Sequence, residues 1–315
     1  MSRAKRRVYM GMMLCSLLFA CHDEVAPGKS GNAEQPAAVQ ASSSLQQLSG
    51  TILFQSDRDG DNEIYVMNAD GSELMQLTQN EASDEYPIWS PDGKQIAFIS
   101  NRDGSYDLYL MTADGTNVRK LTDHPSNNYD PAWSPDGSQL AFSSDRESGM
   151  EIYLINADGS GRTQFTKTIG KNILPAWASD GKHIAYTGNR YLGWNVYVTT
   201  LDKTEDTRVT EGHGACRPDW SPDASTIAFV SQEADGKGDI WTMRPDGSGK
   251  TQLTYDEVNY DYYPAWSPDG RYIVYAKTSD KHHGNWELYI MTADGKEHLQ
   301  ITDHPAQDKF PDWKP

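Results

Sequence analysis

Pro131-Ala132-Trp133-Ser134-Pro135-Asp136-Gly137 is the cleanest copy of a stretch that recurs to the end of the chain. Its tryptophans fall at Trp89, Trp133, Trp177, Trp220, Trp266 and Trp313, with steps of 44, 44, 43, 46 and 47 residues. A fixed period of this length marks a repeat architecture, whose units bury their apolar faces against one another. Working outward, Trp133 ends a short strand. Ser134-Pro135-Asp136-Gly137 is then a tight turn, because Pro presets φ while Asp and Gly tolerate the later turn positions. Gln139 to Ser143 is an apolar strand, and a loop with Asp145 and Arg146 leads to a second one, Glu151 to Asn156. Ala157-Asp158-Gly159 is a hairpin turn, and Thr163 to Thr166 closes the unit. Four antiparallel strands, A to D, in about 44 residues make one propeller blade.

The middle strands read as continuous apolar runs: Ile96-Ala97-Phe98-Ile99, Ile227-Ala228-Phe229-Val230, Leu108-Tyr109-Leu110-Met111. Such runs imply burial on both faces, which stacked blades provide. B strands begin near Ile52, Ile96, Leu140, Ile184, Ile227 and Ile273. The first has no tryptophan unit ahead of it, and the chain ends in Phe310-Pro311-Asp312-Trp313-Lys314-Pro315, an A strand with nothing after it. Pairing this last strand into the first blade closes the ring and removes its open sheet edges. The expected fold is therefore all-β: a six-bladed β-propeller of four-stranded antiparallel blades over residues 50–315.

Trp-Ser-Pro-Asp-Gly followed by Ile-Ala-Phe, Ile-Tyr-x-Met, Ala-Asp-Gly and Leu-Thr resembles the TolB-type propeller repeat, over everything after residue 49. The resemblance implies architecture. The same repeat builds the propellers of TolB, of tricorn-like and dipeptidyl-peptidase-like proteases, and of some pectate-fragment lyases, so function does not follow from it. TolB carries an α/β domain ahead of its propeller, and here about 28 residues of different composition stand in that place.

Those residues have their own reading. Arg3, Lys5, Arg6 and Arg7 precede an apolar run from Val8 to Ala20, the order of a signal peptide. Leu18-Phe19-Ala20-Cys21 resembles the lipobox of bacterial lipoproteins, which implies a leader over 1–20 and lipidation of Cys21. Residues 21–49 are rich in Ala, Ser, Gln, Pro and Gly and read as a flexible, lipid-anchored linker. The expected location is the cell envelope, with the membrane touched only through the anchor. With Cys15 cleaved off and Cys21 modified, no disulfide framework is expected around Cys216.

The formal charge is −17. Residues 1–20 hold four basic and no acidic side chains, so removing them leaves 24 basic against 45 acidic residues, or −21. This balance disfavours nucleic acid and anionic lipid as partners.

The A–B and C–D turns share one face of the ring and are nearly identical from blade to blade. The B–C and D–A loops share the other face and differ. Variable loops on a repeating scaffold are where specificity resides. Before each Pro-x-Trp unit, where the chain turns toward the channel, stand Tyr86, Asp130, Leu174, Arg217, Tyr263 and Phe310. Tyrosines beside charged residues suit a recognition surface, so Tyr86, Asp130, Arg217, Tyr263 and Phe310 are ligand-binding candidates. His213, in Gly212-His213-Gly214, is the best single histidine candidate. Trp194 and Trp286 precede C strands, at the place of Tyr106. Exposed, they are sugar or peptide platforms; packed, they cap the blades.

Asp57, Asp59 and Asp61 alternate as in a calcium loop, but the glycine is fourth and position twelve is Asn68. Arg58, Arg102, Arg146 and Arg190 recur at one place and read as blade-to-blade ties. No Gly-x-Ser-x-Gly, His-Glu-x-x-His or phosphate-binding glycine loop is present. The reading is a non-catalytic scaffold that binds an envelope protein or peptide through the loop face and needs no cofactor. The alternative is a carbohydrate-binding or lyase-like propeller with its site at the channel mouth.

Overall fold

The computed structural model describes residue 45 and residues 48–314, apart from 148, 191, 192 and 213. The leader, the lipidation site expected at Cys21 and the candidate His213 lie outside the described residues. Within them the chain forms six four-stranded antiparallel sheets arranged as a ring. No helix there is long and apolar enough to cross a membrane.

Blade 1 combines the two ends of the propeller. Its A strand is Lys309–Lys314, and its B, C and D strands are Thr51–Ser56, Glu63–Asn68 and Met75–Gln76. Ile52 faces Trp313 and Leu53 faces Asp312 across the closing pair. The A strands of blades 2 to 6 are Asp84–Trp89, Asn128–Trp133, Asn172–Trp177, Cys216–Trp220 and Tyr260–Trp266, and they line the central channel. The fold and the strand closing the ring are as the tryptophan spacing predicts. Leu45 and Leu48, placed in the linker by composition, pack on the apolar cluster that contains Trp313. Cys216 is wholly buried and disulfide-bonded, contrary to the expectation of a solitary thiol; its partner is not among the described residues.

The middle strands are buried along their length, as in Gln95–Ser100 and Thr51–Ser56. Thr163–Gln164 is only two residues long, shorter than expected, and most other D strands are the same. An outermost strand has one neighbour, and a short exposed edge offers little to pair with another chain.

The repeated turn is a closed polar unit. Ser134 Oγ donates to Asp136 Oδ1 at 2.6 Å, the Ser138 amide donates to the same oxygen at 3.0 Å, and the Gln139 amide donates to Ser134 Oγ at 2.9 Å. The bonds from Ser134 and Ser138 hold Asp136 below the usual carboxylate range. Trp89, Trp133 and Trp220 are buried beside their turns, and Trp313 is buried in the strand that closes the ring, in keeping with a packing role.

The recurring arginines differ from expectation. Arg58 pairs with Asp308 and Arg102 with Asp84, each inside its own blade. The guanidinium lies back over its own B and C strands, as Arg102 does over Phe98 and Tyr109 at 5.5 and 4.9 Å, so it does not reach the next sheet. Blade-to-blade ties are made nearer the axis instead. Gln55 Oε1 accepts from the Tyr86 amide at 3.1 Å, and Thr187 Oγ1 from the Arg217 amide at 3.0 Å.

Candidate functional site

Each A strand carries a β-bulge near its start, at the second to fourth residue, seen as a register shift between Glu85 and Ile88, Tyr129 and Ala132, or Tyr262 and Ala265. The bulged residue is in the left-handed region in all six blades: Tyr86 (φ 53°), Asp130 (52°), Leu174 (54°), Arg217 (56°), Tyr263 (61°) and Phe310 (52°). None is glycine, so the backbone is strained at each, by about 1 kcal/mol or more. A bulge re-aims its side chain, and here the following proline is constant while the side chain is not. The scaffold thus holds six variable side chains toward one axis.

Five of the sequence candidates meet there. The Phe310 ring lies 4.0 Å from Tyr86 and 4.1 Å from Tyr263. Arg217 stacks its guanidinium 4.3 Å from the Tyr263 ring centre and 5.3 Å from that of Phe310. Asp130 is 7% exposed; its Oδ2 accepts from Ser143 Oγ at 2.8 Å, and its Oδ1 has no hydrogen-bond partner. Burial raises its pKa, and the Arg217 charge opposes that rise. Burial, reinforced by Asp130, pushes the Tyr86 phenol well above its ordinary value. Together these groups form an aromatic and ionic constriction across the channel.

A cavity of about 320 Å³ lies on the turn side of that constriction, walled by Trp89, Trp133, Trp177 and the A-strand prolines. Asp219 and Asp312 face it, and sequence reasoning missed both. Asp219 Oδ2 accepts the Trp266 amide at 2.8 Å, and Asp312 Oδ2 the Trp89 amide at 2.6 Å, each reaching the next blade. Burial raises the first to about 7, with help from the charge of Asp312, and the second to about 6. The signal lay in the repeats: the residue before tryptophan is Ile88, Ala132, Ala176 or Ala265 in four blades and aspartate in two.

On the loop face, a second cavity of about 240 Å³ opens between blades 3 and 4. Trp194, Met150, Tyr129, Ile173 and Leu174 form its apolar wall, and Asp130 stands where both cavities meet. Trp194 therefore lines a cavity and does not merely cap its blade. Trp286 is 2% exposed and backs Tyr262 and Tyr263 at 5.8 and 5.5 Å. It stiffens the constriction from behind.

Asp59, Asp61 and Glu63 bring carboxylate oxygens within 4.8 Å of one another. Asp57 is turned away, accepting the Gln307 amide at 2.8 Å. Glu63 is buried, raised to about 7 by desolvation, and already accepts from Asn80.

A family model, the TolB beta propeller domain, matches residues 46–130 and 120–315. An uncharacterized peptidase, YuxL of Bacillus subtilis, is 31% identical over 103 residues, which span 31% of this chain and 15% of that protein. The Tol-Pal system protein TolB of Nitratidesulfovibrio vulgaris is 35% identical over 65 residues, 20% of this chain and 14% of that one. The chain thus matches well under a fifth of the length of either relative. Among solved structures, TolB from Acinetobacter baumannii superposes with a TM-score of 0.75 at 22% identity, covering 84% of this chain and 66% of that one, a likeness of fold.

Proposed function

Because the chain belongs to the TolB beta propeller domain family, we propose that it is a non-catalytic scaffold of the cell envelope that docks a protein or peptide on its loop face. The observation that carries this reading is where apolar side chains are left in water. Among the described residues the three most exposed large apolar side chains, Ile169, Tyr255 and Val258 at 89%, 73% and 54%, belong to D–A loops of that face, while the less exposed Leu74, Met75 and Val118 flank the C–D turns. The first three flank a face that also opens the Trp194 cavity. Strongly exposed apolar groups mark interaction surfaces, and a large aromatic in a pocket makes an anchor. The name of the TolB relative, a Tol-Pal system protein, supports an assembly role. The leader pattern and the lipobox-like Leu18-Phe19-Ala20-Cys21 support an envelope location.

In-cell crosslinking from loop-face positions tests the proposal. The wild-type chain should yield a discrete crosslinked partner, and Ile169→Asp with Tyr255→Asp should lose it without loss of folding. An unchanged crosslink in that variant would move docking off the loop face. The carbohydrate reading requires histidines and carboxylates gathered at the channel. Asp219 and Asp312 stand there, but no histidine is among the described residues of that wall, and no particular observation favours it.

A further inference from the structure

Four blades carry an arginine at the same place after the B strand, and three of the four hold a carboxylate. Arg58 Nη2 lies 2.9 Å from both oxygens of Asp308. Arg102 Nη2 lies 3.0 and 2.8 Å from those of Asp84. Arg190 takes a different acid: its Nη1 and Nη2 reach Asp206 at 2.5 and 3.2 Å. In blades 1 and 2 the acid comes from the start of the A strand. In blade 4 it comes from the D strand, opposite Thr199.

Blade 3 has neither acid. Asn128 stands at the place of Asp84, and its amide is given to Asp107 and Thr122 at 3.2 and 3.3 Å. The D-strand register, Tyr153 with Gln164 and Leu154 with Thr163, puts Arg162 at the place of Asp206. Where blade 4 has an ion pair, blade 3 therefore has two arginines.

The consequence is visible in the polar groups. Arg146 Nε and Nη2 are shut off from solvent with no hydrogen-bond partner, and so is Tyr153 Oη. In blade 2 the corresponding Tyr109 donates to Asp103 at 2.6 Å. Burial lowers the proton affinity of Arg146, and the like charge of Arg162 lowers it further, against the opposing charges of Asp107 and of Glu147, which stands at the place of Asp103 but is bonded to neither Arg146 nor Tyr153. Buried donors are almost always satisfied, and a shielded guanidinium without an acceptor is costly. Planar guanidinium forks match carboxylates, and the sister blades fill this same slot with aspartate.

We propose that Arg146, Arg162 and Tyr153 form a binding site for a carboxylate-bearing ligand, which supplies to blade 3 the acid that its sisters carry internally. The donors outnumber the two oxygens they would hold. The chain's net charge of −17 repels anions at long range, so the local contacts must hold the ligand and the affinity for a simple acid should be modest. The site does not rest on the protein-docking reading, because a free organic acid satisfies it as well as an acidic side chain does.

The test titrates the full chain with sodium acetate at constant ionic strength, following the thermal midpoint and the arginine Nε–H resonances. Acetate should raise the midpoint saturably, on the order of 2 °C, and should move the Arg146 resonance. Asn128→Asp and Arg162→Asp each rebuild an internal partner, after blade 2 and blade 4 respectively, but the first also gives up the amide that Asp107 accepts. Both should abolish the effect of acetate, and Arg162→Asp should also raise the midpoint without it. No saturable response in the wild type overturns the proposal, as does an equal response in both variants. Inorganic phosphate acting at tenfold lower concentration than acetate overturns the carboxylate assignment. A blocked Gly-Glu-Gly peptide binding more tightly than acetate names a side chain as the source, and equal binding names a free acid.

Discussion

Gly115 and Gly104 belong to the same blade, and both have positive φ, 79° and 106°. They lie on opposite faces of the ring. A Cβ on Gly115 would stand 2.6 Å from the carbonyl oxygen of Leu77 in the preceding blade, whereas a Cβ on Gly104 would meet nothing within 4 Å. The turn-face contact is repeated around the ring: Gly71 against Ile301, Gly159 against Leu121, Gly247 against Val209 and Gly295 against Leu253. The turn face is thus where a neighbour's backbone leaves room for nothing larger than glycine. The loop face joins blades through main-chain hydrogen bonds instead, as the Asp84 amide donates to Asn62 O at 2.7 Å and the Asn128 amide to Tyr106 O at 2.8 Å, bonds that any side chain allows. What the two faces teach is that repetition here follows contacts that restrict the side chain: where the neighbour excludes a Cβ the residue repeats, and where only the main chain is engaged it varies.

The hardest blow to that comparison is Gly115→Ala. The new methyl group meets backbone, which cannot swing aside, and the residue keeps a strained φ, so a loss of about 3 kcal/mol is expected. Gly104→Ala adds only the strained φ and should cost about 1 kcal/mol. Denaturant midpoints of the two variants measure the gap directly, and equal losses would remove the distinction between the faces.

The channel gives the second prediction. Asp219 and Asp312 titrate near 7 and 6 in the folded chain, above the 3.8 of an ordinary aspartate. The folded state therefore binds more protons than the unfolded state between about pH 4 and 7. The stability they contribute is complete below pH 4, is lost as pH rises through 6 and 7, and changes no further above. Channel water screens both groups, so the loss is on the order of 2 kcal/mol for each. Asp219→Asn with Asp312→Asn should flatten the stability profile between pH 4 and 7, in proportion to their share; other raised carboxyls, among them Glu63 and Asp239 at about 7 and Asp261 at about 6, keep the remainder.

Much of this was legible in the chain itself. The tight turn, the blade length, the count and the closing strand follow from Trp-Ser-Pro-Asp-Gly and its variants, because the tryptophan recurs six times and the turn after it five. The six residues that meet at the axis were legible too, since all precede proline. What escaped depends on pairs. The arginines read as ties between blades because their recurrence was visible and their partners were not. Arg58 meets Asp308 from the far end of the chain, and Arg190 meets an acid from a strand that no repeat motif marks. Asp219 and Asp312 were hidden among alanines at a position that the tryptophan beside them had already explained. The cavity on the turn side was illegible for another reason: it is the space left between six strands, and no single residue encodes it.

The finer contrast sets one polar turn against one apolar loop. Asp136 accepts from Ser134, from the Ser138 amide and from Ser138 Oγ at 2.6, 3.0 and 2.8 Å, on the surface and with water as a ready substitute. Asp136→Ala should therefore cost only about 1 kcal/mol, and it should leave crosslinking to a partner unchanged. Ile169 touches so little that Ile169→Asp should shift stability by less than about 0.5 kcal/mol, the smallest effect of all, and yet it should weaken partner capture. The two variants reverse each other's readouts, which neither a general loss of folding nor a general change of charge can imitate. If Asp136→Ala lost the partner and Ile169→Asp kept it, the division of labour would be inverted: the repeated turns would be the recognition surface, and the variable loops would be free to vary because nothing reads them.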